Sequence, residues 1–197
     1  MKQAAAMQIR GVKHVVEIPN GVAVVATGYW QAQKGLKALN AQFKGGASRG
    51  MDDRKIEAAL REDAENGKAV PAHVSGDLAA GRQKSVKSLE MEYHVPYLAH
   101  ATMEPMNATA VWTKDRCEVW VPTQNGESAL AAAASAAELP AEQCEIYKLH
   151  LGGGFGRRGQ GDYVRQAVQI AKTMPGTPIK LLWTREEDML HGFYHPI

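Results

Sequence analysis

Cysteine is scarce in this sequence, which contains only Cys117 and Cys144 among its 197 residues. Two cysteines are too few for a disulfide framework, and their spacing is not that of zinc ligands. Both lie in stretches typical of β-strands, away from the exposed, electropositive surroundings of a reactive thiol. We interpret both as small buried apolar residues, so the cysteine content leaves the redox compartment open.

Long apolar runs are also missing. None reaches the roughly 18 residues that a membrane span requires. Residues 1–10 contain only the short apolar stretch 4–7, where a signal peptide needs a longer one. The sequence therefore predicts neither a membrane span nor a targeting segment, and cytoplasm and periplasm both remain open.

Neither sign of charge is in clear excess, because 23 Lys and Arg residues face 21 Asp and Glu residues, for a net charge of +2. This balance argues against nucleic acid as a partner. Arg157 and Arg158 are the only adjacent arginines, and we interpret them as a solvated surface pair rather than a phosphate clamp. With 45% hydrophobic and 22% charged residues, the composition is that of a folded globular protein.

The first half of the chain is predicted to combine a hairpin with helices. Hydrophobic periodicity predicts strands at residues 12–18 and 22–27 and helices at 29–43 and 52–66. Asn20-Gly21 between the two strands is a typical hairpin turn, and Asp52 or Asp53 is the expected cap of the second helix. Residues 68–84, rich in Gly, Ala and polar residues, favour a connection, and we place a domain boundary near Ser88.

The second half is predicted to be mixed. Strands are expected at residues 86–93, 107–113, 117–121, 144–151 and 178–184, and helices at 128–138 and 162–174. The alanine-rich helix at 128–138 is suited to close packing against a neighbouring element. The last strand, helix and strand form a βαβ crossover, which predicts that those two strands run parallel. Together the halves indicate a mixed α/β fold of the α+β class.

The segment 149–158, with the sequence LHLGGGFGRR, separates a predicted strand from a predicted helix. Its glycines allow backbone amides to approach a ligand closely. Phe155 is costly to expose, so we expect it to cover either the core or a planar ligand. Gly154, Gly156 and Gly159 also fit the dinucleotide pattern G-x-G-x-x-G, but the acidic residue expected about 20 positions later is missing.

Residues 94–105 contain two prolines and are predicted to form an ordered loop. Within it, His100 and Glu104 could pair as acid and base. A histidine in a loop is more often a structural group, and both interpretations stay open at this point.

Gly152-Gly153-Gly154-Phe155-Gly156 resembles the signature loop of the molybdenum hydroxylases, the xanthine oxidase and aldehyde oxidoreductase family. Three further stretches agree in order and spacing: residues 93–105 (YHVPYLAHATMEP), 120–125 (WVPTQN) and 183–196 (WTREEDMLHGFYHP). Within the family, the resemblance points to the molybdenum-binding β subunit of isoquinoline 1-oxidoreductase-like enzymes.

The resemblance implies a domain organisation. Residues 1–88 are expected to form the end of a hammerhead-like lobe with its linker. Residues 89–197 are expected to form the first part of a molybdopterin-binding α/β domain with a βαβ crossover. The chain would then be a fragment of a large subunit.

The resemblance also implies a site. Gln124 would approach the apical oxygen of the molybdenum centre, where a neutral amide donor adds no charge. The loop residues Gly153, Gly154, Phe155 and Gly156 would bind the cofactor, with Gly156 in a conformation that only glycine adopts cheaply. Phe155 would also line the substrate pocket. No side chain of the chain would ligate the metal. The general-base glutamate would lie beyond Ile197, and the family's acidic substrate contact is replaced by Gly159, which puts purine substrates in doubt.

The implied reaction is hydroxylation of N-heterocycles or oxidation of aldehydes with oxygen taken from water. It requires a molybdopterin-type cofactor, with the cytosine dinucleotide form as one alternative, and the remainder of the large subunit. Two cysteines cannot hold an iron–sulfur cluster, so a small [2Fe–2S] subunit is the expected partner. The fragment alone is expected to lack cofactor and activity. A nucleotide-binding module and a degenerate structural subunit are the alternatives.

Overall fold

The β-branched runs beside Asn20 form a hairpin in the computed structural model of the chain, which describes residues 1–193. Strands β1 (Val12–Ile18) and β2 (Gly21–Ala26) pair antiparallel, with Ile18 opposite Gly21. The predicted hairpin is confirmed. It belongs to a compact unit formed by residues 1–43 and 99–193, whereas residues 44–98 belong to a second unit.

Two helices of the first unit lie close to the hairpin in sequence. Helix α1 (Gln3–Met7) was not predicted, and α2 (Tyr29–Leu39) ends before the predicted residue 43. Asn40 adopts a left-handed conformation, with a φ of 46°, and this conformation ends the helix. The predicted length of this helix is therefore wrong, because Asn40 stops it earlier than the following glycines could.

The second unit contains helices α3 (Asp53–Asn66) and α4 (Leu78–Lys84). The Asp52 carboxylate accepts a hydrogen bond from Lys55 N at 3.0 Å, so the predicted cap of α3 is confirmed. Helix α4 was missed within the predicted connection. The strand predicted at residues 86–93 is wrong, because this stretch is exposed and contains no regular structure. An alternating pattern forms a strand only where a partner strand and a core exist.

A four-stranded sheet forms the centre of the first unit. Its strands, in the spatial order β5-β4-β3-β6, are β3 (Asn107–Trp112), β4 (Cys117–Val121), β5 (Cys144–Lys148) and β6 (Ile179–Leu182). Strand β3 is antiparallel to both β4 and β6, and β4 is parallel to β5. Strands β5 and β6 thus run in the same direction, as the crossover predicted, although they lie at opposite edges of the sheet.

Helices α5 (Gly126–Ala137) and α6 (Asp162–Ala171) pack on this sheet and on each other. The core between them is built largely from small residues, among them Ala108, Ala110, Val119, Val121, Ala133 and Ala167. The prediction that the alanine-rich helix packs closely against a neighbour is confirmed. A short helix, α7 (Arg185–Leu190), follows β6.

The architecture confirms the predicted mixed α/β fold, while the division at residue 88 stays a prediction. Cys117 is buried and Cys144 half-buried, and they are neighbours across β4 and β5. Over the part of the chain that the structure describes, no helix is long and apolar enough to span a membrane.

Candidate functional site

The ends of two parallel strands bring the predicted site together. Strand β4 ends at Val121 and β5 at Lys148, and the carboxyl ends of parallel neighbours meet at the same edge of a sheet. Leu149 N donates to Val121 O at 3.0 Å, and Gln124 N donates to Arg158 O at 3.2 Å. Strand β4 is followed by a turn at residues 123–125, called the Thr-Gln turn below, and β5 by a loop at residues 152–158, called the glycine loop. The two are therefore in direct contact.

The side chain of Gln124 is fixed by the glycine loop. Its Oε1 accepts hydrogen bonds from Gly156 N at 3.1 Å and from Arg158 N at 3.2 Å. Because Oε1 must be the acceptor for two backbone N–H groups, the orientation of the amide is defined. Gln124 is exposed, and its Nε2 donates to no atom of residues 1–193. This nitrogen is a donor available to a ligand.

The glycine loop has an unusual backbone. Gly153 and Gly156 have φ values of 95° and 90°, so Gly156 has the conformation that we expected there. Phe155 has a φ of 53°, a left-handed conformation that is strained for a residue with a large side chain. Its side chain is 73% exposed, so the expectation that Phe155 plugs the core of the unit is wrong.

Two glycines of the loop are needed because other segments approach them closely. A Cβ atom on Gly152 would lie 2.3 Å from Glu104 Cβ, and one on Gly154 would lie 2.6 Å from Gln124 Cδ. By contrast, a Cβ atom on Gly156 or Gly159 would have no neighbour within 4 Å. The loop is thus packed tightly against residues from earlier segments on one side and open on the other.

Three successive carbonyl groups of the loop are bound within the protein. Glu104 N donates to Gly152 O at 3.0 Å, Arg158 Nε to Gly153 O at 2.7 Å, and Arg157 N to Gly154 O at 2.9 Å. In a trans peptide the N–H points away from the carbonyl of the same unit. The amides of Gly153, Gly154 and Phe155 consequently point away from these donors, and none donates to an acceptor in residues 1–193.

Arg157 and Arg158 are buried, at 2% and 0% exposure, so their interpretation as a solvated pair is wrong. The Arg157 guanidinium donates to both Asp162 oxygens, at 3.0 and 2.7 Å, and lies 5.3 Å from the ring centroid of Trp183. Arg158 Nη2 pairs with Glu104 Oε2 at 2.9 Å. Each charge is compensated by a carboxylate that is not adjacent in sequence, which a count of surface charges does not reveal.

Glu104 is committed to structural contacts. Its carboxylate accepts hydrogen bonds from Arg158, from Gly152 N at 2.9 Å and from Asn107 Nδ2 at 2.9 Å. His100 Nδ1 is buried without a hydrogen-bond partner in residues 1–193. The two residues therefore do not form an acid–base pair in this structure, and the structural role predicted for His100 stays a prediction because its Nδ1 has no hydrogen-bond partner in residues 1–193.

Further contacts hold the Thr-Gln turn and the segment before β3. Thr123 Oγ1 donates to Arg158 O at 2.9 Å, and Tyr163 Oη donates to Pro122 O at 3.0 Å. Burial raises the pKa of the Tyr163 phenol, which keeps this donor protonated. Arg185 Nη2 donates to Met103 O at 3.0 Å. Described residues of all four stretches that resemble the family thus take part in these contacts, and residues 194–196 of the last stretch lie outside the described residues.

The backbone and side-chain N–H donors of the loop region that bind nothing within the described residues define what the site can bind. They are the amides of half-buried Gly153, buried Gly154 and exposed Phe155 and the Nε2 of exposed Gln124, all of them neutral N–H groups without an acceptor in residues 1–193. Such a set suits a ligand rich in oxygen atoms. In residues 1–193, no three His, Cys, Asp or Glu side chains are grouped as metal ligands.

Comparison with known proteins gives a sequence family and several relatives, among them the following two. The family described as the molybdopterin cofactor-binding domain matches residues 61–196. Isoquinoline 1-oxidoreductase subunit beta of Brevundimonas diminuta is 28% identical over 196 residues, which cover 94% of this chain and 25% of that protein. The membrane-bound aldehyde dehydrogenase of Gluconacetobacter polyoxogenes, whose name specifies pyrroloquinoline quinone, is 31% identical over 172 residues, 85% of this chain and 22% of that protein.

A solved structure supports the fold. The crystal structure of quinoline 2-oxidoreductase from Pseudomonas putida 86 matches with a TM-score of 0.67 at 19% identity, over 98% of this chain and 30% of that chain. At this identity the likeness concerns the fold alone. The chain spans about a quarter of the length of the two curated relatives, 22% and 25%.

Proposed function

Because the chain belongs to the molybdopterin cofactor-binding domain of the molybdenum hydroxylase family, we propose that Gln124 and the loop at residues 152–158 bind the oxygen-bearing side of a molybdenum cofactor. The observation that carries this proposal is the row of three successive backbone N–H groups that have no acceptor in residues 1–193. These N–H groups belong to Gly153, Gly154 and Phe155. The carbonyl group of each of the three peptide units accepts a hydrogen bond within the protein. These donors fit the oxygen-bearing side of a molybdenum cofactor, because oxygen atoms accept hydrogen bonds from neutral N–H groups.

Gln124 acts as a fixed donor in this proposal. Its Oε1 is held by Gly156 N and Arg158 N, so its Nε2 faces the ligand without having to rotate on binding. A neutral amide donates to a cofactor oxygen without changing the charge at the centre. When bound, the cofactor supplies the two-electron oxidation that places a water-derived oxygen on the substrate carbon.

The substrate class follows from two residues of the same loop. The exposed ring of Phe155 offers an aromatic face on which a planar ring can stack. Gly159 leaves open space where the family's acidic residue would contact substrate. We therefore assign N-heterocycles or aldehydes, rather than purines, as substrates.

The complete activity requires more protein than this chain. The chain is part of a large subunit, the general-base glutamate lies beyond residue 197, and a small [2Fe–2S] subunit receives the electrons. Residues 1–197 alone then hold no stoichiometric molybdenum and oxidise nothing. The chain with the remainder of the large subunit and the small subunit is called the assembled enzyme below.

Metal and cofactor content of the assembled enzyme test the proposal. We expect about one molybdenum per large subunit by elemental analysis, a pterin whose released nucleotide identifies the dinucleotide form, and dye reduction with an N-heterocycle or an aldehyde. Pyrroloquinoline quinone in place of molybdenum would contradict the proposal. Tight binding of NAD by the 197-residue protein would instead favour the nucleotide-binding alternative.

A further inference from the structure

Arg158 connects three of the four segments that form the site. Its guanidinium is fully buried and donates to Gly153 O at 2.7 Å, to Pro122 O at 3.3 Å and to Glu104 O. Its Nη2 also pairs with Glu104 Oε2 at 2.9 Å. Most of these acceptors are backbone carbonyls, so the side chain determines where the backbone of other segments lies.

Glu104 completes the connection from the other side. Its Oε2 accepts hydrogen bonds from both Arg158 Nη2 and Gly152 N, each at 2.9 Å. The Glu104 backbone N donates to Gly152 O at 3.0 Å. The carboxylate therefore neutralises the buried guanidinium and, at the same time, holds the first residue of the loop.

The hydrogen bond from Arg158 Nε to Gly153 O also determines the direction of the Gly154 N–H. It binds the carbonyl of the peptide unit whose N–H belongs to Gly154, and a trans peptide directs that N–H the opposite way. Gly153 also has a φ of 95°, which glycine adopts about as readily as a negative φ, so the backbone itself does not fix this conformation. Without the guanidinium, nothing in residues 1–193 binds Gly153 O, and this peptide unit is then restrained only through the bonds of its neighbours.

We infer that Arg158 and Glu104 form a positioning pair that turns the loop amides toward the cofactor without touching it. An arginine suits this role because its planar fork donates in several fixed directions at once, which the single ammonium of lysine does not. The neighbouring Arg157 differs, since its side chain pairs with Asp162 and donates to no loop carbonyl. Only the cofactor measurement described below rests on the proposed function.

The first test needs no cofactor. In the 197-residue protein we compare Arg158→Met with the matched control Arg157→Met, which also removes a buried arginine from an ion pair. Amide exchange measured by NMR should accelerate about 10-fold or more at Gly152 and Gly156 in Arg158→Met, because local opening becomes easier. In Arg157→Met these two amides should keep their wild-type rates. Equal acceleration in both variants, or none in Arg158→Met, would overturn the inference.

A double variant separates position from charge. Arg158→Met leaves the Glu104 carboxylate without its cation, and an unpaired charge is itself destabilising. Adding Glu104→Gln removes that charge but does not restore a donor to Gly153 O. Because Gly152 N donates to Glu104 itself, the double variant is judged at Gly156. Fast exchange at Gly156 is the expected result, and a return to the wild-type rate there would show that only charge matters and would sink the positioning role.

The assembled enzyme gives the second measurement. Molybdenum per subunit should fall about 10-fold or more in Arg158→Met, the range known for residues that orient ligands from outside the site. Arg158→Lys should recover part of the loss, and folding is checked by circular dichroism. If the wild-type enzyme held no molybdenum, the proposed function would fail, and the exchange measurement would still decide the positioning role.

Discussion

Gly154 lies so close to Gln124 that a Cβ atom on it would be 2.6 Å from the amide carbon of the glutamine side chain. Gly154→Ala should therefore displace Gln124, which cannot shift without losing its bonds to the loop. We expect the free energy of unfolding in urea to fall by about 1–3 kcal/mol, the usual cost of overpacking.

Gly159→Ala is the matched control, because its Cβ atom would have no neighbour within 4 Å. It should change the free energy of unfolding by less than about 0.5 kcal/mol. Equal effects of the two substitutions would mean that the contact between Gly154 and Gln124 does not restrain the loop.

Gln124→Glu tests which atom of the amide faces the ligand. A glutamate keeps the size and one oxygen to accept from Gly156 N and Arg158 N, but it replaces the Nε2 donor by an acceptor. Folding stability should hold within about 0.5 kcal/mol. In the assembled enzyme kcat/KM should fall roughly 10 to 100-fold.

Gln124→Ala serves as the comparison, since it removes the acceptor as well. Its free energy of unfolding should fall by about 1–2 kcal/mol, because two backbone N–H groups lose their partner. Wild-type kinetics in the glutamate variant would exclude Nε2 as a donor to the cofactor.

Gly156→Val tests the left-handed backbone at the end of the loop. The φ of 90° disfavours a β-branched residue by roughly 1–3 kcal/mol, although there is space for a side chain. Stability and molybdenum content should both fall, and Gly159→Val should change neither strongly. Full stability and full metal content in Gly156→Val would identify the loop as an ordinary turn.

Local patterns predicted the elements better than their ends and partners. The hairpin at Asn20 and the Asp52 cap follow from short-range chemistry, and both are present. The strand predicted at residues 86–93 had the right alternation but no partner strand, which no local pattern reveals. The contact between the Thr-Gln turn and the glycine loop depends on β4 lying beside β5, a pairing that the sequence did not specify.

The arginines of the loop also show that local sequence patterns do not reveal tertiary partners. Arg158 was interpreted as a surface residue because a pair of adjacent arginines is more often solvated than buried. Its partner, Glu104, lies 54 positions earlier in the chain, so only the folded structure reveals the pair. The family motifs located Gln124 and the glycines, whereas the residues that hold them were found only through tertiary contacts.

Cys117 should be nearly inert in the native protein. Burial raises the pKa of its thiol to about 12, and burial also raises the pKa of the half-buried Cys144 thiol. At pH 8 the Cys117 thiol is then about a thousandfold less ionised than in the unfolded chain, and only the thiolate reacts. Iodoacetamide followed by mass spectrometry should label Cys144 first, and denaturant should make the two rates similar.

A Cys144→Ser variant isolates the buried thiol in the same experiment. Its native protein should resist labelling at pH 8 and become reactive as the pH approaches 12. Rapid native labelling of Cys117 at pH 8 would show that the inner face of β4 is open to solvent.

Phe155 combines high exposure with a left-handed backbone, so its ring should contribute to substrate choice and not to stability. Phe155→Gly removes the ring and relieves the backbone, and it should leave the free energy of unfolding unchanged or raise it by up to about 1–2 kcal/mol. Phe155→Ala removes the ring but keeps the strain. Both variants of the assembled enzyme should retain molybdenum while the ratio of kcat/KM between a bulky N-heterocycle and a small aldehyde changes in the same direction. A loss of more than about 1 kcal/mol in both variants would mean that the ring packs as core, and an unchanged ratio would remove Phe155 from the substrate pocket.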